Sequence, residues 1–174
     1  MKLAIINGSP RKNGRTRIAA AYIAEKYQAE LIDLSDGSIP LFNGEEKQNQ
    51  LSAIINLRKT IASADGVILT SPEYHGGMSG ALKNALDFLS SEQFAYKPVA
   101  LLAVSGGGKG GINALANMRT VGRGLYANVI ANQLVLDPPS FLNTEKKLTD
   151  DAAAKIGQLI AELSKYVKMF APLH

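Results

Sequence analysis

The chain has 174 residues, 46% of them hydrophobic, enough for one domain with a full core and no covalent staple. It lacks cysteine, which excludes disulfides, thiolate-held iron–sulfur clusters and thiol catalysis; with only His75 and His174, a multi-histidine metal site is excluded as well. The net charge of +4 is gathered at one end, since residues 1–17 carry Lys2, Arg11, Lys12, Arg15 and Arg17 and no acid, while the rest of the chain holds 14 bases against 15 acids. Such a focus suits a small anionic ligand better than a nucleic-acid duplex, which asks for basic residues over a whole face. The N-terminal apolar run is too short for a signal peptide, and no stretch approaches a membrane span. The expectation is a soluble, cytoplasmic protein with neither nucleic acid nor membrane as partner.

The first predicted strand, Leu3 to Ile6, runs into Asn7-Gly8-Ser9-Pro10-Arg11-Lys12-Asn13-Gly14-Arg15-Thr16-Arg17. A helix follows from near Thr16, with Ile18, Ala19, Tyr22 and Ile23 on one stripe. Its first backbone N–H groups lack partners and face the loop, so strand, loop and helix together read as a phosphate cradle. Ser9 and Thr16 can donate to phosphate oxygens, and Arg11 and Arg15 can pair with the charge. A plain turn would explain the glycines and Asn, but not four cations in seven residues without an acid. The loop lacks the Gly-Lys-Ser/Thr of the P-loop, so a single ligand phosphate fits better than a triphosphate.

Ala29 to Leu34 gives a second β-prone run, and residues 37–49 form a long connection that either lines a site or is a surface excursion. A second helix places Leu51, Ile54, Ile55, Arg58 and Ile61 on one face. Val67-Ile68-Leu69 reads as a strand buried on both sides, and Ser71-Pro72-Glu73-Tyr74-His75-Gly76-Gly77-Met78 as the loop at its carboxyl end. Ser79 is placed to cap the next helix, which carries Leu82, Ala85, Leu86 and Leu89; its other face, with Lys83, Asn84 and Asp87, is expected to meet solvent or another subunit. A fourth strand spans Val99 to Val104 and exits through Ser105-Gly106-Gly107-Gly108-Lys109-Gly110-Gly111 into a helix over Ile112 to Leu125. A fifth strand, Val129 to Leu136, is broken by Asp137-Pro138-Pro139, and a last helix aligns Ile156, Leu159, Ile160, Leu163, Val167 and Phe170.

Five strands alternating strictly with five helices imply parallel pairing, right-handed crossovers and helices on both faces of the sheet. The expected fold is a single α/β domain over 1–174, a flavodoxin-like, three-layer, doubly wound structure with a five-stranded parallel sheet in order 2-1-3-4-5. That order makes neighbours of the first, third and fourth strands, whose exit loops are the three unusual ones, and ligands bind at such a switch point. A ligand with its phosphate on the first loop and a flat ring between the other two has the shape of FMN. Gly106, Gly108 and Gly111 also match G-x-G-x-x-G, but only 63 residues follow Gly111, too few for a second mononucleotide half.

Gly8-Ser9-Pro10-Arg11, the run from Ser71 through Asp87 and the glycine run after the fourth strand together resemble the NADPH-dependent FMN reductase family of flavin, quinone and azo-dye reductases, and look most like the bacterial azobenzene reductases. The resemblance implies that Ser9, Arg11 and Thr16, with Arg15 beside them, hold the FMN phosphate. It implies that Pro72, Glu73, Tyr74, His75 and Gly76 lie along the isoalloxazine and that Ser105, Gly106 and Gly107 close the other side. His75 and Ser79 stand where the family commonly has Asn and Pro. The implied activity is hydride transfer from NADPH or NADH through bound FMN to an azo compound, quinone or free flavin, by a homodimer or homotetramer. Hydride transfer needs no protein nucleophile, so positioning residues are expected rather than a catalytic acid or base. His75 reads either as a hydrogen-bonded loop residue or as a proton donor to reduced product. The competing readings are a flavodoxin-type electron carrier, whose acidic docking surface a chain of +4 does not match, and a phosphate-binding regulatory or nucleic-acid module.

Overall fold

A computed structural model describes residues 1–108, 110–142 and 147–170; Lys109 and His174 fall outside them. The chain runs β1 (Leu3–Asn7), α1 (Arg15–Tyr27), β2 (Glu30–Asp33), α2 (Ser52–Ser63), β3 (Gly66–Tyr74), β4 (Gly77–Met78), α3 (Gly80–Asp87), α4 (Ser91–Phe94), β5 (Pro98–Val104), α5 (Ile112–Gly124), β6 (Asn128–Leu136), β7 (Phe141–Leu142), β8 (Lys147–Leu148) and α6 (Asp150–Phe170). The five long strands are parallel in the order β2-β1-β3-β5-β6, which is the order expected from the alternation of elements. The two-residue β4 folds back antiparallel on β3, and β7 and β8 make a separate hairpin.

The alternation of side chains along each strand divides the interior into two layers. Ala4 and Ile6 of β1, Val67 and Leu69 of β3, and Val99, Leu101 and Ala103 of β5 pack with α2, α3 and α5. Leu3, Ile5, Ile68, Ala100, Leu102 and Val104 pack with α1 and α6. Ile5 and Ile6 are both fully buried on opposite faces, each contributing about 1.5–3 kcal/mol. A register slip of one residue would exchange the layers, so apolar runs of this kind fix the pairing firmly. Asn7 lies level with Thr70, and Pro72 with Val104, so the ends of β1, β3 and β5 reach one edge together.

The second helix turns a different face inward from the one expected. Its buried residues are Ile54, Leu57, Thr60 and Ile61, whereas Leu51 precedes the helix and Ile55 is 52% exposed. Ile55 sits about 100° around the helix from Ile54, on the side away from Leu57. The long connection runs over the surface, exposed at most of its positions, yet is pinned to the fold: it leads into a 3₁₀ turn, Glu46–Gln50, and is held by Asn84. Asn84 Oδ1 accepts from Phe42 N (2.8 Å) and its Nδ2 donates to Pro40 O (2.8 Å), so this side chain serves the chain itself, while Lys83 pairs with Asp87 on the surface (2.6 Å).

Candidate functional site

The first wall of the site is the loop leaving β1. Gly8 N donates to Thr70 O (2.9 Å) and Gly8 O accepts from Ser79 Oγ, so this residue is pinned between β3 and the start of α3. Ser79 Oγ also accepts from Leu82 N (3.0 Å), capping α3 as its position predicts. Asn7 shapes the next step: its Oδ1 accepts from Ser9 N (3.2 Å) and its Nδ2 donates to Asp33 Oδ1 (2.7 Å) at the end of β2. Asp33 further accepts from Ser35 and from Arg17 Nε (2.7 Å). Burial pushes the Asp33 carboxyl upward, but the hydrogen bonds from Asn7, Ser35 and Arg17 outweigh it and hold the group below its ordinary value.

Beyond this bend Ser9 and Thr16 are nearly inaccessible, and Ser9 Oγ accepts from Arg11 N (3.2 Å), leaving its own proton to donate elsewhere. Helix α1 then begins with Gly14 as a backbone-only cap and no acid in its first turn. Its leading N–H groups therefore face the loop with a favourable field for an anion and no side-chain acceptor competing for them. Arg15 is steered from behind by the ring of Phe141 in β7, its guanidinium carbon 5.8 Å from the ring centre. This donor set fits a phosphate monoester.

The second wall is the end of β3. The segment expected to be loop from Ser71 is strand as far as Tyr74, because Ser71 and Pro72 pair with Ala103 and Val104 of β5. The chain then reverses in two residues, His75 (φ +50°) and Gly76 (φ +77°), between the paired Tyr74 and Gly77. Two consecutive positive φ values make this a type I′ hairpin turn, for which Asn-Gly is the favoured sequence. His tolerates this left-handed backbone better than most residues. His75→Val is expected to cost about 1–2 kcal/mol and His75→Asn to cost nothing, measured by urea denaturation.

Glu73 joins this wall to the third. Its Oε2 accepts from Ala114 N (2.9 Å) in the first turn of α5, a helix whose own cap, Gly111, has no side chain to offer. The carboxylate thus serves as the side-chain partner of this helix terminus. In the glycine run, Ser105 Oγ donates to Asp137 Oδ1 (2.8 Å) and accepts from Gly107 N (3.2 Å), so this hydroxyl folds the loop. Gly106 and Gly107 have open space where a Cβ would be, while Gly111 (φ +91°) would strike Val135. Bare backbone at the lip and a required glycine at the base are the features of a loop that a planar ligand can approach closely.

These walls meet in one cleft, lined by Ser9, Arg11, Gly14, Arg15, Thr16, Pro72, Glu73, Tyr74, Val104, Ser105 and Gly106. It brings together every site residue expected from sequence except His75, Gly76 and Gly107, which lie exposed in the two flanking turns. Gly14 and Val104 line it as well, and Asn7 and Asp137 brace it; none of these was singled out as a site residue. The enclosed volume is about 80 Å³, well under the roughly 300–1,000 Å³ of a pocket that surrounds a whole cofactor. The cleft is therefore open, not closed around a ligand.

Residues 1–139 match the family model described as NADPH-dependent FMN reductase. An NADPH azoreductase of Bacillus sp. (strain OY1-2) is 52% identical over 170 residues, covering 98% of this chain and 94% of that protein. The FMN-dependent NADPH-azoreductase of Staphylococcus aureus (strain USA300) is 34% identical over 159 residues, covering 83% and 81%. Among solved structures, the flavoenzyme NAD(P)H:(acceptor) oxidoreductase FerB from Paracoccus denitrificans superposes with a TM-score of 0.73 at 22% identity, covering 96% of this chain and 95% of that one. RosB, solved with 8-demethyl-8-formylriboflavin-5'-phosphate bound, gives a TM-score of 0.72 at 15% identity over 99% and 81%, and these two likenesses show the shared fold. From the family match over most of its length and from relatives of this identity, the chain belongs to the NADPH-dependent FMN reductase family.

Proposed function

We propose that this chain binds FMN across the cleft and carries reducing equivalents from NADPH, or NADH, to an azo compound, a quinone or free flavin. Ser9, Arg11, Arg15 and Thr16 hold the phosphate together with the first-turn N–H groups of α1. Pro72, Glu73, Tyr74, His75 and Gly76 lie along one side of the isoalloxazine, and Ser105, Gly106 and Gly107 along the other. Bound FMN supplies a ring that accepts a hydride from the nicotinamide and returns the electron pair to the acceptor. The protein orients that ring, presents backbone donors from the two flanking turns to its polar edge and leaves the ring face accessible. No side chain is assigned as acid or base; His75 serves the turn.

The observation that carries this reading is the convergence of the loops after β1, β3 and β5 on a single cleft with an anion-ready end. The chain is read as one flavin-binding domain over 1–174. The open ring side of the cleft and the family resemblance support an even-numbered homo-oligomer that covers it, acting in the cytoplasm; no helix among the described residues is long and apolar enough to cross a membrane. The purified protein is expected to be yellow, to bleach on anaerobic addition of NADPH without a partner reductase and to regain colour when a quinone or azo dye is added. Stable yellow in the presence of both dinucleotides would instead mark an electron carrier, and a colourless protein that takes up no FMN a phosphate-binding module.

A further inference from the structure

Past Pro72, β3 runs beyond its neighbours in the sheet: its pairing with β1 ends at Thr70 and its pairing with β5 at Pro72. What projects is a hairpin of two rungs, Glu73 with Met78 and Tyr74 with Gly77, and so small a hairpin does not hold its shape alone. Helix α5 supplies the support. Ala114 N donates to Glu73 Oε2 (2.9 Å), and Asn117 Oδ1 accepts from Met78 N (3.4 Å). Ala114 and Asn117 stand one turn apart on the same side of the helix, and Glu73 and Met78 face each other across the hairpin, so a single turn of α5 grips both strands at one rung. The same helix lies along the turn: a Cβ at Gly77 would stand 3.7 Å from Asn117 Oδ1, and one at Gly76 4.0 Å from Asn113 Nδ2. α5 is itself tied to the sheet, through Arg119 to Ile130 O (3.0 Å) and Gln133 (2.9 Å) of β6.

Asn117 is exposed and fills no gap in the core, so packing gives no account of it. We infer that Glu73 and Asn117 are positioning residues: together they clamp the hairpin to α5 and so fix the spacing between the two walls of the cleft that flank the flavin ring. The glycine run that forms the other wall leads directly into α5, so one helix carries both sides of the slot. A wall held in place before the ligand arrives spares binding the cost of ordering it. The acceptor oxygen of Glu73 is then what counts, and its charge is incidental. This role rests on the proposed function, to which it adds two side chains that act on the ring through the backbone. By contrast, Arg15 and Arg17, which border a cavity of about 510 Å³ beside α1, are already engaged by Phe141 and Asp33.

The test titrates the flavin-free, full-length protein with FMN and with riboflavin, which shares the ring but lacks the phosphate. For Asn117→Ala we expect an unchanged Tm, as for other exposed positions, and a loss of about fivefold in affinity for both flavins alike. Asn117→Asp should bind like the wild type, because a carboxylate oxygen accepts the same bond. Glu73→Ala should weaken both flavins by a similar factor, while Glu73→Gln, which keeps the acceptor, stays within about twofold of the wild type. Amide hydrogen exchange across residues 74–78 without flavin should be faster in Asn117→Ala and Glu73→Ala than in the wild type. Unchanged flavin affinity in Asn117→Ala, a loss confined to FMN, or Glu73→Gln as damaging as Glu73→Ala each overturns the clamp. Should the wild type bind neither flavin, the proposed function fails, whereas unaltered exchange in both alanine variants strikes down the clamp alone.

Discussion

Gly8→Ala is expected to destabilise the protein by about 3 kcal/mol and to strip it of flavin. An added Cβ would stand 2.3 Å from Thr70 O and 3.0 Å from Leu82 Cβ, where neither backbone nor core side chain can retreat. Relief requires β1 to draw away from β3, which breaks the Gly8 N to Thr70 O bond and the contact from Ser79 that together set the phosphate loop. For a chain of this length such a loss lowers Tm by roughly 6–12 °C. Gly106→Ala is the matched control: nothing stands within 4 Å of its added Cβ, so Tm should hold, while flavin affinity falls because the methyl projects where the ring is proposed to lie. A Gly8→Ala protein with unchanged Tm and full flavin content would contradict the account of this loop.

Stability is expected to rise, not fall, between about pH 8 and pH 10.5 through Lys97. This side chain is 7% exposed, and its ammonium donates to Ile61 O (2.5 Å) and Ala62 O (3.0 Å) at the end of α2. Burial pushes its pKa down to about 8 from 10.5, with the nearby Asp65 pulling weakly the other way. Below pH 8 both folded and unfolded chains hold the proton, and the folded state bears the cost of a desolvated charge. Between the two values the unfolded chain keeps a proton that the folded one has released, so the unfolding free energy climbs with pH, by about 2–3 kcal/mol in all, and levels off above 10.5. Urea denaturation of the wild type and of Lys97→Met across this range isolates the effect. The difference between the two proteins should tilt with pH, and a flat difference would show that the lysine is not desolvated in solution.

The parts of the fold readable from sequence are those where one local signal suffices. The apolar runs of β3 and β5, the cap at Ser79 and the cation-rich loop after β1 each carry their own explanation, and the strand order follows from strict alternation. What escaped notice depends on partners distant in sequence. Ser71 to Tyr74 look like loop because of Pro72 and their polarity, yet β5 recruits Ser71 and Pro72 as strand and β4 recruits Glu73 and Tyr74. Asp137 enters the site because Leu136 lies level with Val104 across β6 and β5, a relation invisible in the Asp-Pro-Pro that reads only as a break. The two strands β7 and β8 have two residues each, too short for any periodicity, yet Lys147 and Leu148 of β8 help to line the cavity beside α1 and Phe141 of β7 steers Arg15. The α2 face was misjudged because Leu51 and Ile55 are as apolar as the residues the core selects.

The chain of bonds from Arg17 through Asp33 and Asn7 to Ser9 has an implication for how the cofactor is lost. Strand β2 is the outermost of the sheet, held on one side only, and outer strands loosen before inner ones. When its end peels away, Asp33 leaves with it, and Asn7 loses the anchor that bends the backbone toward the phosphate. Cofactor departure is therefore expected to report the loosening of a border strand, and to precede the collapse of the interior.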